Sequence, residues 1–180
     1  MTESPPTPDM TLLALVDKLA IREVIERSMR YSDDRDGVRL GELYDDEGVL
    51  QLAGTVFAGR DEITNMFGQA PPRHWSEPGE LLKQPRAAHR GSNPVIDVDG
   101  DTAQAETDMI VVQRDDAGRA RITLAARYRD RLRRLPDGRW VITNRTGVSL
   151  ARPGQEGTDT EWKAALEAMP ANKRAAFRTD

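Results

Sequence analysis

The stretch that most constrains the fold is ARITLAARYRDRL, residues 120 to 132. Ile122, Leu124, Ala126, Tyr128, Asp130 and Leu132 alternate with Arg121, Thr123, Arg127, Arg129 and Arg131. A period of two over this length is the signature of a strand buried on one face and solvated on the other. Asp130 is the only charge in the inward row. Three turn signals flank this segment and its neighbours: Asp99-Gly100, Asp115-Asp116-Ala117-Gly118 and Pro136-Asp137-Gly138. They divide the C-terminal half into four strand-like segments, which predicts an antiparallel meander. In the last of these, Trp140, Ile142, Asn144, Thr146 and Val148 form the expected inward row.

The N-terminal half has the other period. Met10 to Tyr31 reads as a helix, with Asp9 or Thr11 as its cap. Leu12, Leu15, Val16 and Leu19 share one face; Ile21, Val24, Ile25, Ser28 and Met29 lie on another. This predicts a long helix packed on two sides, or a turn followed by a main helix from about Asp17. Shorter helices are expected over Arg35 to Tyr44 and Gly59 to Gly68, with a strand over Gly48 to Leu52 between them. Asp34 and Asp36 are placed to cap the second helix. Ala70 to Pro85 is rich in proline and reads as a long loop. Helices followed by a meander make an α+β domain, with helices on one face of a sheet. Residues 1–9 are expected to be a flexible lead, residues 10–150 the domain, and residues 151–180 a tail. One helix is expected in that tail over Thr160 to Met169, and Trp162, Leu166, Met169 and Phe177 give the tail enough apolar surface to dock.

Composition narrows the function. The 180 residues carry a net charge of −4, which argues against nucleic acid as the main partner. There is no cysteine, hence no disulfide, zinc–thiolate site or cysteine nucleophile; a reducing cytoplasm is the expected location. No apolar run approaches the roughly 20 residues of a membrane span, and the N-terminus lacks the pattern of a signal peptide. The carboxylates of DVDGDTAQAETD imitate a calcium loop, but the glycine is misplaced and the closing residue is Asp108, so a hairpin explains them better.

Four segments, LAIREVIERSMRYSDDRDGVRLGELYDDEGVL, GRDEI, HRGSNPVIDVDGDTAQA and RYRDRLRRLPDGRWVITNR, in this order and spacing, resemble the SnoaL-like branch of the NTF2-like superfamily over roughly Leu19 to Val148. The resemblance implies a curved antiparallel sheet wrapped around three helices as a cone with an interior pocket, commonly as a homodimer. The family includes dehydratases, a dehydrochlorinase, isomerase relatives, polyketide cyclases and the non-catalytic small subunits of ring-hydroxylating dioxygenases. In its dehydratase and dehydrochlorinase members an aspartate at the end of the first helix faces a histidine on the strand after the third. Asp33 and His89 occupy these positions here.

Such a pair suits general-base chemistry. A neutral histidine can remove a proton beside a carbonyl, while an aspartate on its other nitrogen fixes the tautomer and stabilises the imidazolium. No metal or cofactor is required. The expected activity is elimination, isomerisation or cyclisation of a small hydrophobic ring compound; a histidine held only for structure, in a binding or assembly subunit, is the alternative. The acid that relatives carry as a tyrosine near the helix end aligns with Ser28 and Ser32, with Tyr31 between them. Tyr31, Tyr128, Asn144 and Asp108 are therefore candidates for substrate contact, although Asp108 points opposite to Thr107 and Met109 and only one set can line a pocket. Trp75, beside His74 in the proline-rich loop, is a candidate for the pocket mouth.

Overall fold

In the computed structural model, residues 8–52, 55–67, 87–115 and 117–150 are described, with side chains from residue 12 onward. Helix α1 (Pro8–Asp34) and α2 (Gly37–Glu42) precede strands β1 (Tyr44–Leu52) and β2 (Thr55–Ala58). Helix α3 (Arg60–Thr64), extended by a 3-10 turn over Asn65–Phe67, leads to β3 (Ala87–Asp99), β4 (Thr102–Arg114), β5 (Ala120–Arg134) and β6 (Trp140–Ser149). The six strands form one sheet in the order β2-β1-β6-β5-β4-β3. The meander β3 to β6 is antiparallel throughout, as the turn signals require. The glycines of all three turns, Gly100, Gly118 and Gly138, have φ of 57°, 79° and 87°, a region other residues enter only at a cost. Strand β1 joins the far side by pairing parallel with β6. The local pattern carries no trace of that pairing, because it depends on where the helices return the chain.

Helix α1 is continuous and stops at Asp34. There Arg35 turns left-handed (φ 57°), and the N–H groups of Arg35 and Asp36 return to the carbonyls of Ser32 and Tyr31 at 3.1 and 2.8 Å. This is a Schellman closure. Of the two aspartates expected to cap α2, Asp36 does so, accepting the Arg39 N–H at 3.0 Å; Asp34 is instead the buried last residue of α1.

The expectation of a helix packed on two sides is corrected. Ile21, Ile25, Ser28 and Met29 are buried against the sheet, whereas Leu12, Leu15, Val16 and Leu19 are all more than half exposed among the described residues. The second correction lies in β6. Leu132 pairs with Ile142 and Arg131 with Asn144, so β6 takes two steps where β5 takes one. This bulge at Thr143 reverses the alternation. Trp140 and Ile142 point inward as expected, but the inward residue after them is Arg145, and Asn144, Thr146 and Val148 turn to the outer face.

Arg145 and Asp130 then meet in the core. The guanidinium Nε and Nη2 donate to the two Asp130 oxygens at 2.6 and 2.8 Å, with side chains 3% and 0% exposed. Nη1 donates to the Ser28 hydroxyl, and the guanidinium lies 4.5 Å from the Tyr128 ring centroid. Burial opposes the charge, but the Asp130 carboxylate overcomes it, so Arg145 remains firmly cationic. Burial likewise pushes the Tyr44 and Tyr128 hydroxyls up and keeps them protonated.

Candidate active site

Asp33 sits in the last turn of α1 and His89 near the start of β3. The strand begins at Ala87, earlier than its apolar part suggests, so His89 is held within the ladder opposite the buried Val111. A carboxylate at a helix C-terminus is disfavoured by the helix dipole and needs compensating donors. His89 supplies two. Its backbone N–H is 3.0 Å from both Asp33 oxygens, and its Nδ1 is 2.7 Å from Oδ1. The Asp33 side chain is 3% exposed and that of His89 22%. An ionised carboxylate only accepts, so Nδ1 carries a proton, and in the neutral ring the lone pair is on Nε2. The pair thus has the geometry of a histidine base oriented by an aspartate.

His89 and Asp33 line a half-open cavity of about 190 Å³ between α1 and β3. Two stripes of α1 form one wall: Ile25, Met29 and Asp33, then Arg22, Glu26 and Arg30. Arg90, Gly91 and Pro94 of β3 and Thr107 of β4 complete it. Gly91 matters here because a Cβ at its position would lie 2.5 Å from the Met29 methyl, so only glycine lets that side chain rest on the strand. Asn93, with φ of 51°, marks a bulge where β3 takes three steps against two of β4. Pro94 reaches the wall from inside that bulge. Thr107 is 2% exposed and its hydroxyl has no hydrogen-bond partner among the described residues. A buried hydroxyl without a partner costs the fold free energy.

The other sequence candidates are distributed differently. Tyr128 stands on the inner face, but under Arg145 and outside this cavity lining. Tyr31 packs toward α2, with the Arg39 guanidinium 4.7 Å from its ring centroid. Asn144 is corrected: the β6 bulge puts it on the outer face, where Thr146 donates to Gln51 at 2.7 Å and stands 3.3 Å from Asn144 Oδ1. Asp108 is corrected too: Thr107 and Met109 take the inner face, and Asp108 pairs outside with Arg127 at 2.7 Å, which holds its carboxyl below the usual range. Trp75 and His74 lie outside the described residues. The cavity lining is more apolar than polar and includes the charged Arg22, Glu26, Arg30 and Arg90. Among the described residues, no three His, Asp or Glu side chains converge as metal ligands would, and no helix is long and apolar enough to cross a membrane.

Sequence reasoning missed Arg145, Thr107's unpaired hydroxyl and the arginines of the mouth. Arg145 had a signal: a lone aspartate in an apolar inward row needs a buried cation opposite it.

Comparison with known proteins places this geometry in a family. A family profile described as a SnoaL-like domain matches residues 14–146. No curated protein matches the chain. Among solved structures, an NTF2-like protein with a cystatin-like fold from Novosphingobium aromaticivorans superposes with a TM-score of 0.67 at 23% identity, covering 92% of this chain and 99% of that one. Rv3472 from Mycobacterium tuberculosis, a protein of unknown function, gives 0.67 at 20% identity over 92% and 91%. A candidate scytalone dehydratase, also from Novosphingobium aromaticivorans, gives 0.61 at 20% identity over 78% and 89%. These similarities are of fold. The six-stranded sheet, its three helices and the profile spanning most of the chain make this protein a member of the SnoaL-like family, with an NTF2-like fold.

Proposed function

We propose that the protein is a cofactor-independent lyase, isomerase or cyclase for a small hydrophobic ring compound, with His89 as general base and Asp33 as its positioning residue. One observation carries the reading: a histidine on a cavity wall has one nitrogen held by a buried carboxylate at 2.7 Å, leaving the other for a ligand. In the reaction, Nε2 takes a proton from the carbon beside a carbonyl, and the C–H electron pair moves into an enolate. Asp33 stabilises the imidazolium. The enolate then expels a β-substituent, regains a proton at another carbon, or attacks a second carbonyl to close a ring. General-base catalysis of this kind contributes about 10²–10⁴-fold. The protein is expected to work as a homodimer.

A direct test needs no knowledge of the natural substrate. Cyclic ketones such as 1-tetralone, 2-tetralone and cyclohexenone are incubated with the protein in D2O, and deuterium uptake is followed by mass spectrometry. Exchange that falls by about 10²-fold or more in His89→Ala supports the reading. Exchange undiminished in His89→Ala, or absent with the wild type, contradicts it.

A second reading, a non-catalytic assembly subunit, is favoured by the size of the cavity. At about 190 Å³ it is smaller than the roughly 300–1,000 Å³ of most small-molecule pockets. One solved neighbour is the β subunit of a candidate aromatic-ring-hydroxylating dioxygenase. Light scattering separates the two: the enzyme reading expects a homodimer, the subunit reading a trimer awaiting a larger partner.

A further inference from the structure

The charges around the mouth are unevenly spent. Arg22, Glu26 and Arg30 form one stripe of α1 at four-residue spacing, roughly 6 Å apart along the helix. Arg22 pairs with Glu26 at 2.8 Å, and Asp33 is held by His89. Two lining cations remain. Arg30 has no carboxylate within ion-pair distance among the described residues, although its field reaches Asp34 one turn on. Arg90 gives one N–H to the His89 carbonyl at 2.9 Å and has no carboxylate partner among the described residues. Both side chains are exposed, in a chain whose net charge is −4. Arg90 is next in sequence to the base, and Arg30 is one helical turn before Asp33. Both line the same cavity as His89.

We infer that the substrate of this site carries a carboxylate, held at the mouth by Arg30 and Arg90, with its ring against Ile25, Met29 and Pro94. The inference rests on the reading of the cavity as a small-molecule site and adds the substrate's charge. The planar fork of a guanidinium matches a carboxylate, and two such groups at the edge of a partly desolvated pocket discriminate an acid from its neutral isostere.

The test compares 1-naphthoate with 1-naphthamide, which share a ring and nearly a shape but differ in charge. Binding of each to the full-length protein is measured by calorimetry at 50 and 500 mM NaCl. At low salt naphthoate should bind about tenfold tighter, and high salt should erode that advantage while leaving naphthamide unchanged. In the double variant Arg30→Gln/Arg90→Gln the preference should vanish through loss of naphthoate affinity, and an unchanged melting temperature certifies that the variant is folded. Equal binding of the two probes by the wild type, or a preference that survives the double variant, overturns the inference and leaves the cavity reading standing. If neither probe binds the wild type, the cavity reading fails, and the inference with it.

Discussion

Replacing Arg145 with methionine isolates the largest single electrostatic commitment in the core. The substitution keeps an unbranched apolar stem and removes both donors to Asp130, at 2.6 and 2.8 Å, with the contact to Ser28 and the cation over Tyr128. Asp130 is then left as a carboxylate with 0% side-chain exposure and no cation beside it. Breaking a buried pair from one side costs about 3–5 kcal/mol, against a total stability for an ordinary domain of roughly 5–15 kcal/mol. For a chain of this size each kcal/mol moves the melting temperature by about 2–4 °C, so a loss of roughly 10 °C is expected. Urea titration followed by tryptophan fluorescence reads the transition, because Trp140 is 3% exposed in the fold. Adding Asp130→Leu removes the stranded charge and should recover most of the loss. A single variant that loses less than about 1 kcal/mol, or a double variant no better than the single, would refute the view that these groups are buried and mutually dependent.

The remaining predictions probe the cavity wall and the helix end. Thr107→Val removes a buried hydroxyl without a partner and should raise stability by about 1 kcal/mol in urea titration; a loss of stability would mean that the hydroxyl is bonded. Burial raises the Asp34 pKa, with Arg30 opposing it and Asp33 adding to it. The folded state therefore holds this proton more tightly than the unfolded chain, and ionisation at neutral pH works against folding. Asp34→Asn should accordingly melt higher than the wild type at pH 7.5, and that advantage should shrink as the pH falls through the carboxylate range. An advantage that grows on acidification would show the sign to be wrong.

What could be read from the sequence was whatever local pattern encodes. The meander was legible because a period of two and a glycine at each turn are local signals. The position of Asp33 was readable from its likeness to relatives, and its approach to His89 from nothing local, since 56 residues separate them. Errors arose where one residue breaks a period. The bulge at Thr143 exchanged Asn144 for Arg145 in the inward row, and no propensity announces a bulge that tertiary contacts impose. The faces of α1 were similarly ambiguous: Leu12 to Leu19 and Ile21 to Met29 are equally apolar, and only the position of the sheet decides which is buried. The charged lining was invisible because Arg22, Arg30 and Arg90 border one cavity only when β3 lies against α1.

The proposed chemistry requires Asp33 to hold His89 with a proton on Nδ1, which leaves the lone pair of the neutral ring on Nε2. With only two histidines in the chain, nitrogen-15 NMR of the imidazoles assigns each one by a single His74→Gln variant. In its neutral form, reached by raising the pH, the ring of His89 should show a protonated Nδ1 and an unprotonated Nε2, and Asp33→Asn should abolish that bias. An Nε2-protonated ring in the wild type, or a ring indifferent to Asp33→Asn, would contradict it.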